Sequence, residues 1–406
     1  GAAAATSGES LVSVGKSALF SAVNQSLSRS QGSGSNTVWT FSSWIYKCES
    51  KNQVFLNSGS SPEGQIGWDT SDRLYIYNGS TTVALTTQVF RDIGWYHIHI
   101  SYNTSASGTD KVKITINGSL VSAFATDNRS SAGAFNNMNQ SGQTLRLGNN
   151  GSDSGTVCLS GYMAETVILD GTASQATSFA GYDSTGTFWT PLSSATIKAL
   201  TFGTNGFYLD NTTNAQTDAS GEGNNFTNNN TVVTSTNTPT NINTLMNPLS
   251  MFQGMSLANG NNNVTFTAAA YSSNIFTLPI PPSGKWKMEV KLDAAVNGLI
   301  RIGIIEKTAF SPKNTTTSLP FDHDTFGDPD FNSISVYNNT TAVGRIDSTD
   351  YSYSTESNGS TAISSGDTWG LYYDSDSGKF WAANDDGSGD TTYFYEDSGG
   401  TAGNPA

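Results

Sequence analysis

The sequence predicts an all-β protein of two β-sandwich domains joined by an ordered Asn/Thr-rich strap, and three observations predict it. Charged residues make up 13% of the 406, while Asn, Ser, Thr and Gly are abundant, so the composition is poor in helix formers. The chain carries 20 Phe, 16 Tyr and 8 Trp, which suit a pleated, half-buried surface. One pattern occurs twice, as Trp95-Tyr96-His97-Ile98-His99-Ile100 followed by Lys111-Val112-Lys113-Ile114-Thr115-Ile116 and Asn117-Gly118, and as Thr368-Trp369-Gly370-Leu371-Tyr372-Tyr373 followed by Gly378-Lys379-Phe380-Trp381 and Asp385-Asp386-Gly387. Alternation buries one face of each strand, so each copy is a hairpin that needs a second sheet over it. Two such copies far apart imply two sandwiches.

Residues 10–172 read as the first sandwich. Strands are expected at Leu11 to Val14, Val38 to Tyr46, Gln53 to Asn57, Gly64 to Trp68, Arg73 to Tyr77, the first hairpin, Leu145 to Gly148 and Gly161 to Leu169. Asn78-Gly79 and Asn117-Gly118 supply the positive backbone angles of tight turns. Residues 173–262 change texture: short apolar patches such as Phe188-Trp189-Thr190-Pro191-Leu192 and Gly206-Phe207-Tyr208-Leu209-Asp210 interrupt Asn/Thr-rich sequence. Polarity alone suggests a disordered linker, but the spaced aromatics read as anchors of a strap laid along the sandwiches. Residues 263–399 read as the second sandwich, with strands at Val264 to Ala268, Gly284 to Leu292, Gly298 to Glu306, Ser333 to Tyr337 and the second hairpin.

A net charge of −14 without a local basic stripe argues against nucleic acid and against anionic membrane surfaces. No apolar run reaches the length of a membrane span, so no membrane insertion is expected, and Gly1-Ala2-Ala3-Ala4-Ala5 lacks the charged and apolar regions of a signal peptide. The chain therefore reads as soluble and as beginning almost directly in its fold. Cys48 and Cys158 are too few for a disulfide framework, and two isolated thiols are favoured over one bridge.

Little in the sequence reads as catalytic. His97 and His99 share a strand face, which is compatible with a metal, yet no Asp or Glu stands near them in sequence, so ordinary half-buried histidines are the preferred reading. Glu165 and Asp170 have odd spacing, which puts them on opposite faces and not across a glycosidic bond. No Gly-x-Ser-x-Gly elbow or phosphate loop is present, and a non-enzyme is expected. One acidic loop brings Asp322, Asp324, Asp328 and Asp330 within nine residues, enough oxygen for Ca²⁺, although Phe326 and Asn332-Ser333 break the EF-hand pattern and a solvated loop competes. No other cofactor is expected. Sugar recognition requires exposed rings beside amides or carboxylates, and Trp68 with Asp69, Tyr75 with Tyr77 and Asn78, and Tyr372 with Trp381 are the candidates, against the alternative that these rings fill the core.

Three segments resemble known families. Trp39-Thr40-Phe41-Ser42-Ser43-Trp44, Trp95-Tyr96-His97-Ile98, Lys113-Ile114-Thr115-Ile116-Asn117-Gly118 and Leu159-Ser160-Gly161-Tyr162-Met163-Ala164-Glu165 together resemble the laminin G-like or concanavalin A-like jelly roll. Gly284-Lys285-Trp286-Lys287-Met288-Glu289-Val290, Ile302-Gly303-Ile304 and Gly366-Asp367-Thr368-Trp369-Gly370-Leu371 with Phe380-Trp381 are similar to a SPRY-type sandwich. The strap segments Gly206-Phe207-Tyr208-Leu209-Asp210, Asp218-Ala219-Ser220-Gly221-Glu222-Gly223-Asn224-Asn225-Phe226-Thr227, Thr238-Pro239-Thr240-Asn241 and Leu245-Met246-Asn247-Pro248-Leu249 are similar to a junction in virion proteins of tailed, especially marine, bacteriophages. The resemblance implies a structural protein on the virion surface whose partners are other virion proteins of tail, fibre or capsid. Two roles compete. A fibre or appendage subunit would bind a host-surface glycan and form a homotrimer; a capsid decoration protein would dock on the shell. A secreted glycan-binding or glycan-cleaving protein is the remote third, since such folds host many functions.

Overall fold

The computed structural model describes residues 12–151, 157–248, 255–266, 276–278, 280–293, 301–305, 333–337, 343–346, 349–352, 365–377, 379–385 and 391–396. The chain forms two units, one built mainly from Ala5–Leu249 and Ser256–Thr265, the other mainly from Phe266–Ala406.

In the first unit the strands are β1 (Ser17–Phe20), β2 (Ser26–Ser30), β3 (Val38–Lys47), β4 (Gln53–Ser58), β5 (Gly64–Trp68), β6 (Arg73–Asn78), β7 (Thr81–Val89), β8 (Trp95–Asn103) and β9 (Val112–Ile116). They continue with β10 (Ser119–Leu120), β11 (Phe124–Asp127), β12 (Thr144–Leu147), β13 (Gly161–Asp170), β14 (Ala180–Tyr182), β15 (Trp189–Pro191), β16 (Phe207–Leu209), β17 (Thr227–Asn229) and β18 (Val233–Ser235). One eight-stranded sheet has the order β10-β9-β8-β3-β13-β1-β18, with β16 also on β13; the other has the order β11-β7-β6-β5-β4-β12-β2-β17. The fold is an all-β sandwich. Phe41 of β3 stacks on Phe55 of β4 at 6.0 Å, and Trp39 stacks on Tyr102 at 4.8 Å with Phe135 edge-on. Each of these rings is fully buried, and burial of such rings is a major source of the apolar stabilisation.

The first hairpin forms as its alternation requires. Ile98 pairs with Ile116, Ile100 with Ile114 and Tyr102 with Val112, all facing the core, which sends His97 and His99 to the outer face. Asn117 (φ +48°) and Gly118 (φ +81°) make the two-residue turn into β10.

The expected strand at Leu11 to Val14 does not form over the described residues, and β1 begins at Ser17. Val14 is buried against Trp44, Ala164 and Ala180, but its N–H goes to Thr240 Oγ1 at 2.8 Å rather than to a ladder. Strands β2, β7 and β11 were not expected from the sequence; Ser26-Leu27-Ser28-Arg29-Ser30 is too polar to read as a strand, yet Leu27 alone fills the core side.

The strap enters the sandwich directly. β16 pairs with β13, β17 with β2 and β18 with β1, so both sheets are extended by it. Between β15 and β16 lies a short helix, α1 (Ser194–Lys198), capped by Ser193, whose hydroxyl accepts from the Thr196 N–H at 3.1 Å. Phe179, Ile197, Phe202 and Tyr208 from the strap cover Val167 and Leu169 on the outer face of the first sheet.

Farther along the chain, β19 (Met255–Ala258) pairs with β20 (Asn263–Phe266). The second unit contains β21 (Lys285–Lys291), β22 (Arg301–Ile305), β23 (Ser333–Tyr337), β24 (Val343–Ile346), β25 (Thr349–Ser352), β26 (Thr368–Asp374), β27 (Lys379–Asp385) and β28 (Thr391–Glu396). They form two antiparallel sheets, β21-β26-β27-β28 and β22-β23-β24-β25. The second hairpin is β26 with β27, and Trp369 and Leu371 are buried. Among the described residues, no helix is long and apolar enough to cross a membrane.

Candidate functional site

A surface corner of the first unit is built around the turn at Asn117-Gly118. On one side, a cleft of about 240 Å³ is lined by Gln88, Phe90, Tyr96, Ile116, Asn117, Ser119, Leu120 and Val121. Phe90, Ile116 and Val121 are buried beneath it, while Gln88, Asn117 and Ser119 are exposed and Leu120 is 62% exposed. Asn117 is fixed from both ends: its N–H donates to His97 O at 3.0 Å, and its Oδ1 accepts from the His97 N–H at 2.7 Å.

On the other side Trp189 lies on the turn. A Cβ at Gly118 would stand 2.6 Å from the Trp189 ring, so a glycine there permits both the positive φ and the ring contact. Trp189 Nε1 donates to His97 Nδ1 at 3.0 Å. An indole N–H only donates, so Nδ1 accepts and the imidazole proton sits on Nε2, which reaches Ser42 Oγ at 2.9 Å. His97 is thus a neutral fastener, and burial holds its pKa well below the usual value. His99 is buried against Phe179, its ring 5.7 Å away, with burial pulling its pKa down to about 4. Among the described residues, no three His, Cys, Asp or Glu side chains are grouped as a metal site.

The hairpin of β14 and β15 projects two rings beyond this corner. Tyr182 meets Trp189 edge-on at 5.1 Å and is 56% exposed, and Phe188 is 61% exposed. The intervening tip is pinned by Asp183, whose carboxylate accepts from the N–H groups of Thr187 at 2.9 Å and Phe188 at 3.0 Å. These bonds, that of Phe188 first, hold the Asp183 carboxyl below the usual range.

The sugar candidates drawn from the sequence fare differently. Trp68 is fully buried, with Phe90 at 4.9 Å and Phe55 at 5.8 Å, so it cannot stack on a ligand; its strand alternates inward at that position. Asp69 is committed to its own turn, accepting from the Ser71 and Arg73 N–H groups and pairing with the Arg73 guanidinium at 2.6 Å. Asn78 clamps a neighbouring loop: Nδ2 donates to Ala134 O at 3.0 Å and Oδ1 accepts from Asn136 N–H at 2.7 Å. Tyr75 and Tyr77 are half-buried on the outer face of β6, where Tyr77 pairs with Gln65. Sequence reasoning read Phe188-Trp189 as an apolar anchor of the strap and missed both Tyr182 and the exposure of Phe188, because nothing local marks this segment as a hairpin.

Asp322, Asp324, Asp328 and Asp330 lie outside the described residues. Cys48 and Cys158 are free and buried, and burial raises the Cys48 thiol far above its ordinary value. Glu165 and Asp170 face different partners, although the bulge between Ala164 and Val167 interrupts the alternation on which the reading of their spacing rests. Glu165 accepts from Tyr208 Oη, whereas Asp170 accepts from the Ser35 N–H at 2.7 Å and the Asn205 N–H at 3.0 Å.

The strap segment around Asp218 is internal architecture of the first unit. The Asp218 carboxylate accepts from the N–H groups of Tyr208 and Ser220 at 2.9 Å each and Asn224 at 2.8 Å. Asn224 Nδ2 donates to Gly206 O at 2.7 Å, and Phe226 packs edge-on against Phe207 at 4.8 Å in the core. Arg29, 9% exposed, donates to Asn205 O at 2.9 Å and to Asn224 Oδ1.

No protein-family model matches the chain, and comparison with curated proteins finds no match. Among solved structures, a Bacteroides ovatus protein provisionally described as carbohydrate-binding is 16% identical, with a TM-score of 0.40, over 54% of this chain and 59% of its own. The chain thus spans about three-fifths of that protein's length. Domains LG4-5 of the mouse laminin α1 chain match with a TM-score of 0.34 and 9% identity, over 97% of this chain and 80% of theirs. A heptameric SAP-like pentraxin from Limulus polyphemus matches with a TM-score of 0.32 and 14% identity, over 41% of this chain and 80% of its own.

Proposed function

We propose that this protein is a non-enzymatic glycan-binding subunit on the exterior of a tailed-bacteriophage particle, an appendage or fibre component with an N-terminal laminin G-like sandwich and a C-terminal SPRY-like one. The observation that carries the binding reading is the corner at Asn117-Gly118, where Tyr182 and Phe188 stand exposed on a pinned hairpin beside a cleft with exposed Gln88, Asn117 and Ser119. Rings stack on the apolar faces of sugars, amides and hydroxyls bind their hydroxyl groups, and a platform fixed before binding loses less entropy on complex formation. The virion reading rests on the sequence similarity of the strap to phage junctions. The non-enzymatic reading is supported by the commitment of Glu165 and Asp170 to different hydrogen-bond partners within the fold.

A glycan array with the wild-type chain and the variant combining Tyr182→Ala and Phe188→Ala tests binding. Specific signals lost in the variant support the corner; equal signals from both overturn it. Reducing-sugar release from any bound glycan would overturn the non-enzymatic reading. Labelling of the particle separates roles, since contacts with the tail or fibre support an appendage and contacts with the major capsid protein replace it with shell decoration.

A further inference from the structure

We propose that Glu165 is a proton-operated lock that fastens the strap to the first sheet. The lock rests on the geometry and burial at the junction of β13 with the strap and stands whether or not the aromatic corner binds sugar. Glu165 sits where β13 breaks register with β3, between Ala164 and Val167, and its backbone has a φ of +51°. A left-handed backbone is unfavourable for a glutamate and is tolerated where the surroundings hold it. The bulge turns the side chain toward the strap, where its carboxyl is 6% exposed and accepts from Tyr208 Oη on β16.

The contact lies between the two apolar clusters that hold the strap. On one side Val167 and Leu169 meet Phe179, Ile197, Phe202 and Tyr208; on the other Ala164 and Trp44 meet Val14 and Ala180, with Trp189 packed alongside. The charged and titratable groups that act on Glu165 all come from the strap: Tyr208 on β16, Asp210 just after it, and Lys198 on α1, which pairs with Asp210 at 3.1 Å. With Lys198 already engaged by Asp210, the pocket favours a neutral carboxyl. Burial, against the opposing Tyr208 hydrogen bond, raises Glu165 to about 7, and Asp210 adds to the rise.

The sign follows from linkage. A carboxyl with a pKa near 4.5 when released and about 7 when docked binds more protons in the docked state. The Glu165 contribution to docking is therefore fully present below pH 4.5 and is lost progressively as the pH rises through about 7. His97 and His99, buried and neutral under the same strap, act in the opposite direction and remain in place in the variants below.

Hydrogen exchange of the full chain, corrected for intrinsic amide chemistry, tests this at the Tyr208 and Ala219 N–H groups, both of which are hydrogen-bonded within the strap. Between pH 5 and pH 7 the wild-type chain is expected to lose protection relative to Glu165→Gln by a factor approaching tenfold per pH unit. The histidine titrations are common to both chains and cancel in that difference; parallel pH profiles for the two chains would overturn the proposal. Should the variant fold poorly, the carbon-13 titration of the Glu165 carboxyl in the wild-type chain decides. A midpoint near 7 supports the lock, and one near 4.5 overturns it.

Discussion

The indole N–H of Trp189 donates to Nδ1 of His97 at 3.0 Å, tying the strap's hairpin to an inner strand of the first sheet. The bond sets the imidazole tautomer and holds Trp189 over Gly118, so the exposed Tyr182 inherits a fixed position. Trp189→Phe keeps most of the ring contact and leaves a buried nitrogen without its donor. It is expected to cost about 1–3 kcal/mol in urea unfolding and to weaken any glycan binding at the corner. A variant as stable as wild type would show that the bond contributes nothing to the hairpin's attachment.

Burial depresses the pKa of both outer-face histidines, His99 to about 4 and His97 well below 6.5. The unfolded chain then binds protons that the folded chain refuses, so their contribution is intact above pH 6.5 and is lost as the pH falls from 6.5 toward 4. Removing one titration by His99→Leu is expected to make the acid-side slope shallower, by as much as about 1.4 kcal/mol per pH unit. Denaturant midpoints between pH 7 and pH 4.5 measure it. If the slope is unaltered, the acid sensitivity has another source.

Lys47 and Asp72 form an ion pair in which both side chains are almost fully buried, and Lys47 Nζ also donates to Phe90 O at 2.8 Å. Ser50 Oγ donates to the same carboxylate, and burial lowers the Lys47 pKa. Asp72→Leu strands the Lys47 ammonium in the interior and is expected to cost about 3–5 kcal/mol, whereas Lys47→Met leaves Asp72 the exposed Arg91 at 3.6 Å and is expected to cost less. The double variant should recover most of that loss. A double-mutant cycle by chemical unfolding reads the coupling directly, and additive losses would show that the two charges act independently.

The sequence displays the strands that alternate and obscures those held by their neighbours. β5 and the Ile98, Ile100 and Ile114 ladder were legible because every second residue is apolar. β2 was not, since its pairing with β12 and β17 rather than its own composition places it in the sheet. The strap's aromatics were legible as anchors, but not which strands they would join, because long-range pairing leaves no local pattern. Trp68, with a carboxylate beside it, has the composition of a sugar platform; only its facing decides otherwise.

That facing has a measurable consequence. Trp68→Ala opens a cavity among Phe55, Phe90 and Tyr96 and is expected to cost about 3–5 kcal/mol of stability. Tyr77→Ala, on the outer face, should cost less than about 1 kcal/mol. Comparable losses from both, measured by thermal and urea unfolding, would contradict the assignment of inner and outer faces.

The strap's cohesion converges on Asp218, whose two carboxylate oxygens accept from the N–H groups of Tyr208, Ser220 and Asn224 and from Ser220 Oγ at 2.8 Å. Tyr208 then holds Glu165 and pairs with Val167, while Asn224 holds Gly206, so one side chain organises both borders of the β16 segment. Asp218→Ala removes a charged acceptor from several backbone donors at once, and about 3 kcal/mol is expected to be lost. Phe207 and Phe226 still fill the core in that variant, so the sandwich should remain folded while the strap opens locally. Limited proteolysis distinguishes the two outcomes: new cleavage confined to residues 199–232 is expected, whereas simultaneous cleavage throughout residues 12–248 would mean that the strap and the sandwich unfold as one unit.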